Sequence, residues 1–251
     1  MIKRLTIILF LFLSACLPST PAPVPTVSLV PSPTLMEVTQ ISPIRYLALG
    51  DSYTIGESVR VSDRWPEQLA TQMRSSPEFD GRDIQVTIIA RTGWTVDELW
   101  EGIQASPPQG TYDLVTLLIG VNDQYRGYPV NGYREDFRFM LGKALEYAGG
   151  DPDRVVVLSI PDWGFTPYAA DRDTEPISLQ IDEFNAVNLE ETKSAGAHYV
   201  DVTIISRMGM DDFELIAHDR LHPSGKMYGL WVEKVLPVVQ DIFRSTPKEK
   251  K

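Results

Sequence analysis

The strongest constraint on the fold is the regular alternation of short apolar runs with amphipathic segments from Ile44 onward. The apolar runs have the length of strands that are buried on both faces, and the segments between them have the apolar spacing of helices. Strands that alternate with helices predict βαβ units and a parallel sheet. The predicted strands are residues 45–49, 84–90, 114–119, 155–160 and 198–202.

The segments between these strands carry helix start signals. One helix is expected to open at Trp65-Pro66, because proline suits the first helical turn. Another is expected to follow Thr95, where Thr95-Val96-Asp97-Glu98 forms a capping box. Further helices are predicted over residues 133–148, over 178–195 and from Ser224 onward. The connections 161–177 and 203–222 are longer than loops of this kind usually are, so we expect them to build or cover a site.

Composition limits the class of protein. With 251 residues, of which 43% are hydrophobic, the chain can bury one substantial core, and we assign one domain to residues 44–246. The 34 acidic and 23 basic residues give a net charge of -11 and leave no basic stripe, so we expect no nucleic-acid partner. The single cysteine, Cys16, allows neither an intrachain disulfide nor a cysteine-built metal site. We expect a monomer.

The N-terminal residues have the layout of a secretory signal, predicted over residues 1–15. Lys3 and Arg4 precede an apolar run over 5–13, and small residues follow it. The ending Leu13-Ser14-Ala15-Cys16 resembles the lipobox of bacterial lipoprotein signal peptides. The resemblance implies cleavage before Cys16, acylation of that residue, and a protein that is exported across the cytoplasmic membrane and lipid-anchored in the bacterial cell envelope. The alternative is an ordinary secretory signal with an incidental cysteine.

Residues 17–43 are predicted to form a tether behind Cys16. They contain seven of the 19 prolines and one charged residue, Glu37, so they have little with which to form a core. At the other end of the chain, residues 247–251 form a charged tail that we expect to fray.

Candidate site residues follow four of the five predicted strands. Ser52 follows the first strand, Gly93 the second and Asn122 the third, whereas Asp219 and His222 end the loop after the fifth. In an open parallel sheet, ligands bind at the carboxyl ends of the strands. We therefore expect these residues to lie in one site although they are far apart in the chain.

These residue types suit acyl transfer. A serine hydroxyl needs a base to act as a nucleophile near neutral pH, and histidine suits that task. Of the three histidines, His198 precedes its strand and belongs to the opposite edge, and His218 is predicted to be a solvated loop residue. His222 remains, and Asp219 three residues earlier could fix its tautomer. Taken alone, Asp219 could also be a loop carboxylate.

An acyl-transfer site also needs donors for the oxyanion of its tetrahedral intermediate. Gly93 lets the backbone approach a ligand closely and lies just before a capped helix, and Asn122 offers a side-chain N–H. The Ser52 backbone N–H would be the third donor. Taken singly, Gly93 could be a turn glycine and Asn122-Asp123 an Asx turn.

As a set, these residues resemble the SGNH hydrolases, also called the GDSL esterase/lipase family. The matching blocks are Gly50-Asp51-Ser52, Gly93, Gly120-Val121-Asn122-Asp123 and Asp219-Arg220-Leu221-His222, and the resemblance covers about residues 44–245. Tyr53 is a departure, because the name-giving motif has leucine there.

The resemblance implies a flavodoxin-like three-layer α/β fold with no metal or cofactor, and hydrolysis of esters or thioesters through an acyl-enzyme. It implies that Ser52 is the nucleophile, His222 the general base and then acid, and Asp219 its orienter. Ser52, Gly93 and Asn122 would form the oxyanion hole. Asp51 and Asp123 would support the loops through hydrogen bonds.

Two questions stay open at this stage. The first is whether the protein is an esterase or a lipoprotein that binds a ligand or glycan on the same scaffold without turnover. The second is the substrate, which we expect to be a small-molecule, glycan or lipid ester. Loop aromatics could line a pocket for a sugar ring or an acyl chain, or simply pack the loops: Tyr125, Tyr128, Trp163, Phe165 and Tyr168.

Overall fold

A computed structural model describes residues 42–245 of the chain. Five parallel strands form one sheet in the order β2-β1-β3-β4-β5, which is the strand order of flavodoxin-like folds. The strands are β1 (Ile44–Asp51), β2 (Ile84–Arg91), β3 (Leu114–Leu118), β4 (Val155–Leu158) and β5 (His198–Val200). All five predicted strands are present, and the predicted fold class is confirmed.

In the described part of the chain, eight α-helices connect and flank these strands. They are α1 (Ser52–Ile55), α2 (Trp65–Ser75), α3 (Val96–Ala105), α4 (Val121–Tyr125), α5 (Val130–Tyr147), α6 (Thr174–Ser194), α7 (Thr203–Ser206) and α8 (Gly225–Ser245). Helix α2 packs against α8, whereas α5 packs against α3 and α6. These two groups are the outer layers of a three-layer sandwich.

Helix α2 packs, and helix α3 begins, as the sequence patterns predict. Trp65, Leu69 and Met73 of α2 are fully buried, as their spacing on one helix face predicts. Both hydrogen bonds of the predicted capping box are present at the start of α3, including the bond from Thr95 N to Glu98 Oε2 at 3.1 Å. Local sequence signals therefore fix where these two helices begin.

Several element boundaries differ from the prediction. Helix α6 begins at Thr174, four residues earlier than the apolar spacing predicts, and α5 begins three residues earlier, at Val130. Strands β4 and β5 each end two residues earlier than predicted. Helices α1, α4 and α7 were not predicted, because four or five residues are too short to show a helical period.

Strand β1 continues two residues beyond the predicted end and aligns the site. Gly50 pairs with Leu118 and Asp51 pairs with Arg91, so the carboxyl ends of the three neighbouring strands lie level. A side chain at Gly50 would have no room, because a Cβ there would lie 2.3 Å from the Leu118 carbonyl oxygen. Glycine thus allows β1 to approach β3 closely just before Ser52.

The two long connections are not open loops. The first contains short 3-10 helices at Trp163–Phe165 and Pro167–Ala169 and then enters α6. The second contains α7 and two further 3-10 helices, and it is closed by an antiparallel bridge between Ile216 and Pro223. That bridge directly adjoins His222.

The predicted signal peptide, the Cys16 anchor, residues 16–41 of the predicted tether and the 247–251 tail lie outside the described residues. Within residues 42–245, no helix is long and apolar enough to cross a membrane.

Candidate active site

Ser52 is the first residue of α1 and follows β1 directly. The Asp51 side chain caps this helix, since its Oδ1 accepts a hydrogen bond from Tyr53 N at 2.9 Å. Ser52 is therefore not in an ordinary turn. The sharp change from strand to helix holds its side chain at the carboxyl end of a central strand, where only 3% of the residue is exposed.

His222 contacts both Ser52 and Asp219. Its Nε2 lies 3.0 Å from Ser52 Oγ, and its Nδ1 lies 2.5 Å from Asp219 Oδ2. The backbone around His222 is fixed by the bridge already described and by a bond from Ala217 N to His222 O at 2.7 Å. The structure thus brings together three residues whose chain positions span 170 residues.

The Asp219 carboxylate is held by several donors. Its Oδ1 accepts from the backbone N–H groups of Leu221 and His222, both at 3.0 Å, and its Oδ2 also accepts from Ser58 Oγ at 2.6 Å. Burial raises the pKa of Asp219, but the hydrogen bonds lower it further than burial raises it, so its pKa lies well below the usual range. Asp219 is therefore a carboxylate at neutral pH and can stabilise a positive charge on His222.

Ser58 is a member of this network that the sequence did not indicate. It lies three residues after the end of α1 in a left-handed backbone conformation with φ of 65°, which is uncommon for a serine. That conformation directs its hydroxyl to Asp219, 161 residues away in the chain. No motif or spacing relates the two positions, so only the fold shows their contact.

Asn122 lies in the same pocket wall as Ser52. It is the second residue of α4, and its Nδ2 donates to the Trp94 carbonyl at 2.9 Å, while Asp51 Oδ2 lies 3.5 Å away. The Trp94 bond fixes the orientation of the amide, and the contact with Asp51 is at the limit of a hydrogen bond. The second amide hydrogen is therefore only weakly engaged.

Gly93 lies in the β2–α3 connection with φ of 83°, a conformation that favours glycine. Its carbonyl accepts from Arg126 Nη2 at 2.6 Å, and the same guanidinium pairs with Glu98 at 3.0 Å. Among the described residues, no acceptor contacts the Gly93 N–H. Gly93 is not, however, among the residues that line the pocket around Ser52.

Asp51 and Asp123 connect the elements that carry the site. Both oxygens of Asp123 lie 3.3 Å from Val96 N, which joins α4 to the first turn of α3. Burial, together with the nearby charge of Asp123, raises the pKa of Asp51 to about 8. The hydrogen bond from Tyr53 N lowers this pKa but does not offset the effect of burial. Burial likewise raises the pKa of Asp123 to about 7. Neither carboxyl contacts Ser52 or His222 side-chain atoms through a hydrogen bond.

An open pocket of about 150 Å³ lies above Ser52 and His222. Tyr53 forms part of its inner end: its ring lies 5.1 Å from the His222 ring and is stacked on Trp231 at 6.5 Å. The residues lining the pocket are Ser52, Tyr53, Val121, Asn122, Tyr125, Trp163, Tyr168, Leu221 and His222. Tyr53, where the family motif has leucine, therefore packs directly against the histidine.

Three of the five loop aromatics that the sequence singled out line this pocket. Trp163 meets Tyr125 edge to face at 5.3 Å, and the hydroxyl groups of Tyr125 and Tyr168 lie 3.0 Å apart. The Arg172 guanidinium lies 5.3–5.8 Å from the centres of all three rings. Phe165 and Tyr128 do not line the pocket.

The two other histidines lie apart from this pocket. His218 is exposed, and His198 begins β5 at the opposite edge of the sheet, where its Nε2 lies 3.9 Å from Asp153. Within residues 42–245, no group of three or more histidine, cysteine, aspartate or glutamate side chains is arranged to hold a metal ion.

The sequence matches the model of the GDSL-like Lipase/Acylhydrolase family over residues 48–230, which is most of the chain. The match spans every strand end described above, and the chain belongs to this family. A search of curated proteins found no match.

Solved structures show the same fold at low sequence identity. The chain is similar to TesA, with a TM-score of 0.61, 19% identity, and coverage of 79% of this chain and 99% of TesA. It is also similar to a psychrotrophic esterase, EstA, from Pseudoalteromonas sp., with a TM-score of 0.59, 17% identity, and coverage of 80% and 99%. An acetyl xylan esterase from Geobacillus stearothermophilus gives a TM-score of 0.56, 18% identity, and coverage of 79% and 95%.

Proposed function

We propose that this protein is a serine ester hydrolase that acts through an acyl-enzyme. The observation that carries the proposal is the chain of contacts from Ser52 Oγ to His222 Nε2 at 3.0 Å and from His222 Nδ1 to Asp219 Oδ2 at 2.5 Å. This is the arrangement of a nucleophile, a base within hydrogen-bond reach and a third group that orients the base. A protein that only binds its ligand has no need for it.

Ser52 Oγ attacks the carbonyl carbon of the ester while its proton passes to His222 Nε2. The Asp219 carboxylate stabilises the resulting imidazolium through Nδ1. When the tetrahedral intermediate collapses, the bond to the alcohol oxygen breaks, and that oxygen takes the proton from His222. Water then attacks the acyl-enzyme with His222 again as the base, and the acid and free Ser52 are released.

The oxyanion of each tetrahedral intermediate needs preorganised donors. We assign this role to the backbone N–H of Ser52, the N–H of Gly93 and the side-chain amide of Asn122. Two observations support the assignment at Gly93: Arg126 holds its carbonyl, and in the described part of the chain its N–H has no acceptor. Trp94 supports it at Asn122 by fixing the amide.

The test is release of p-nitrophenol from p-nitrophenyl acetate by the wild type and by Ser52→Ala. We expect the variant to lose at least about 10³-fold in kcat/KM, since a nucleophile that works with its base contributes at least this much. Ser75→Ala, at an exposed serine of α2, is the matched control and should keep full activity. Equal rates for wild type and Ser52→Ala would reject the catalytic role and favour a binding protein on the same scaffold.

We also propose that Cys16 carries a lipid anchor in a bacterial cell envelope and that the substrate is an extracellular glycan or lipid ester. The support is in the sequence, in the lipobox-like ending at Cys16 and the proline-rich residues after it. In detergent phase partitioning, the wild type should enter the detergent phase and Cys16→Ser the aqueous phase. Identical partitioning of the two would reject acylation at this residue.

A further inference from the structure

A second, much smaller cavity lies behind the inner end of the Ser52 pocket. Its volume is about 10 Å³, and its accessible lining is almost wholly apolar. Three residues line both cavities: Tyr53, Trp163 and Leu221. These three side chains, here called the partition, therefore separate the pocket from the apolar space behind it.

Trp163 is the firmly fixed member of the partition. Its Nε1 donates to Gln124 Oε1 at 2.8 Å, and Gln124 in turn donates through Nε2 to Gln180 Oε1 at 2.8 Å. Only 5% of Trp163 is exposed. A buried indole with its N–H satisfied in this way has little freedom to swing aside for a longer ligand.

The pocket has an exposed mouth and a buried inner wall. Tyr125 and Tyr168 are 48% and 41% exposed and lie at the mouth, whereas Trp163, which is in ring contact with both, and Tyr53 are buried and form the inner wall. In the proposed two-step reaction the alcohol must leave before water attacks, while the acyl group stays attached to Ser52. The exposed mouth suits the departing alcohol, and the buried inner wall of Tyr53 and Trp163 suits the acyl group.

We propose that Trp163 is the residue that sets acyl-chain length, and that the substrates are esters of short acyl groups, acetyl to butyryl, on larger alcohols that extend into solvent. This inference rests on the proposed esterase function and specifies its substrate class. The pocket in front of the partition, about 150 Å³, has to hold both the acyl group and the ester linkage. A longer chain would need the indole to move and its bond to Gln124 to break.

The test is kcat/KM for p-nitrophenyl acetate, butyrate, hexanoate and octanoate. The wild type should prefer acetate or butyrate. Trp163→Leu should join the two cavities and raise the ratio of octanoate to acetate rates at least tenfold, since burial of one methylene is worth about fourfold, or about 0.8 kcal/mol. Trp163→Phe, which keeps a ring, should shift the ratio in the same direction by a smaller factor. This variant takes the place of Trp163→Leu in the test if the leucine variant does not fold.

Met227→Val is the matched control, because Met227 lines only the inner cavity and its substitution leaves the partition intact. It should not change the chain-length ratio. The inference is overturned if the wild type cleaves octanoate as well as acetate, or if a Trp163 variant with retained acetate activity keeps the wild-type ratio. Either result leaves the esterase function standing, because that function fails only if Ser52→Ala keeps its activity.

Discussion

The two sides of the pocket are held in different ways. On one side, Ser52, His222 and Asp219 are connected by hydrogen bonds of 2.5–3.0 Å, and Ser58 adds a further bond at 2.6 Å. On the other side, Tyr125 and Tyr168 are half exposed and held by ring contacts, the bond between their hydroxyl groups and the Arg172 cation. The difference indicates that the contacts among Ser52, His222 and Asp219 have one fixed geometry, whereas the side chains at the pocket mouth are less constrained.

The largest effect should follow removal of the base. His222→Gln leaves Ser52 without a group to take its proton, and we expect kcat/KM for p-nitrophenyl acetate to fall at least about 10³-fold. His218→Gln, at an exposed histidine of the same loop, should keep wild-type activity. If the two variants lost activity equally, His222 would have no special role.

An intermediate effect should follow removal of the Ser58 hydroxyl. Ser58→Gly keeps the left-handed backbone without strain and deletes only the bond to Asp219, so kcat should fall about tenfold, as for a hydrogen bond to a charged group. KM for p-nitrophenyl acetate should change little, because Ser58 does not line the pocket. Ser58→Ala also lacks the hydroxyl and should have a similar kcat with lower stability. A kcat of Ser58→Gly equal to wild type would remove Ser58 from the network.

The buried Asp51 carboxyl should make stability depend on pH. Its pKa in the folded protein is about 8, above the roughly 3.9 of an unfolded aspartate, so the folded state holds the extra proton between these values. The free energy of unfolding should therefore fall as pH rises from about 4 to about 8. Asp123, with a pKa of about 7, acts in the same direction.

Asp51→Asn keeps the oxygen that accepts from Tyr53 N and removes the titration. Urea unfolding at about pH 5 and about pH 9 should show the variant gaining stability relative to wild type at the higher pH. Asp171→Asn, at an exposed loop position, is the control and should follow the wild type at both pH values. A constant difference between Asp51→Asn and wild type would contradict a raised pKa.

The smallest effect should follow a substitution at the pocket mouth. Tyr168→Phe removes the hydroxyl that lies 3.0 Å from Tyr125 but keeps the ring, so KM for p-nitrophenyl acetate should change by less than about threefold, with kcat unchanged. A loss comparable to that of Ser58→Gly would show that the two sides of the pocket are equally constrained.

Part of the fold and of the site could be predicted from the sequence. The strand runs and the polar residues after them predict the sheet and the meeting of Ser52 with His222, because the carboxyl ends of parallel strands share one edge. The capping box predicts the start of α3. These features depend on local patterns and on one topological rule.

Other features depend on contacts that no local pattern encodes. Ser58 meets Asp219 from a left-handed backbone conformation, and Trp163 is held in the partition by its bond to Gln124. Asp173 before α6 and Pro176 in its first turn are signals for the early start of this helix. A prediction from apolar spacing alone does not use them. Side-chain contacts between distant loops therefore required the structure.

The proposed mechanism requires Ser52 to form a covalent bond to the acyl group. The most direct measurement is intact-mass and peptide analysis after reaction with diethyl p-nitrophenyl phosphate, which transfers its diethyl phosphoryl group to an activated serine and releases p-nitrophenol. We expect one phosphoryl group per chain, on the peptide that contains Ser52, with esterase activity lost in proportion. Phosphorylation at another residue, or full activity with Ser52 modified, would contradict the mechanism.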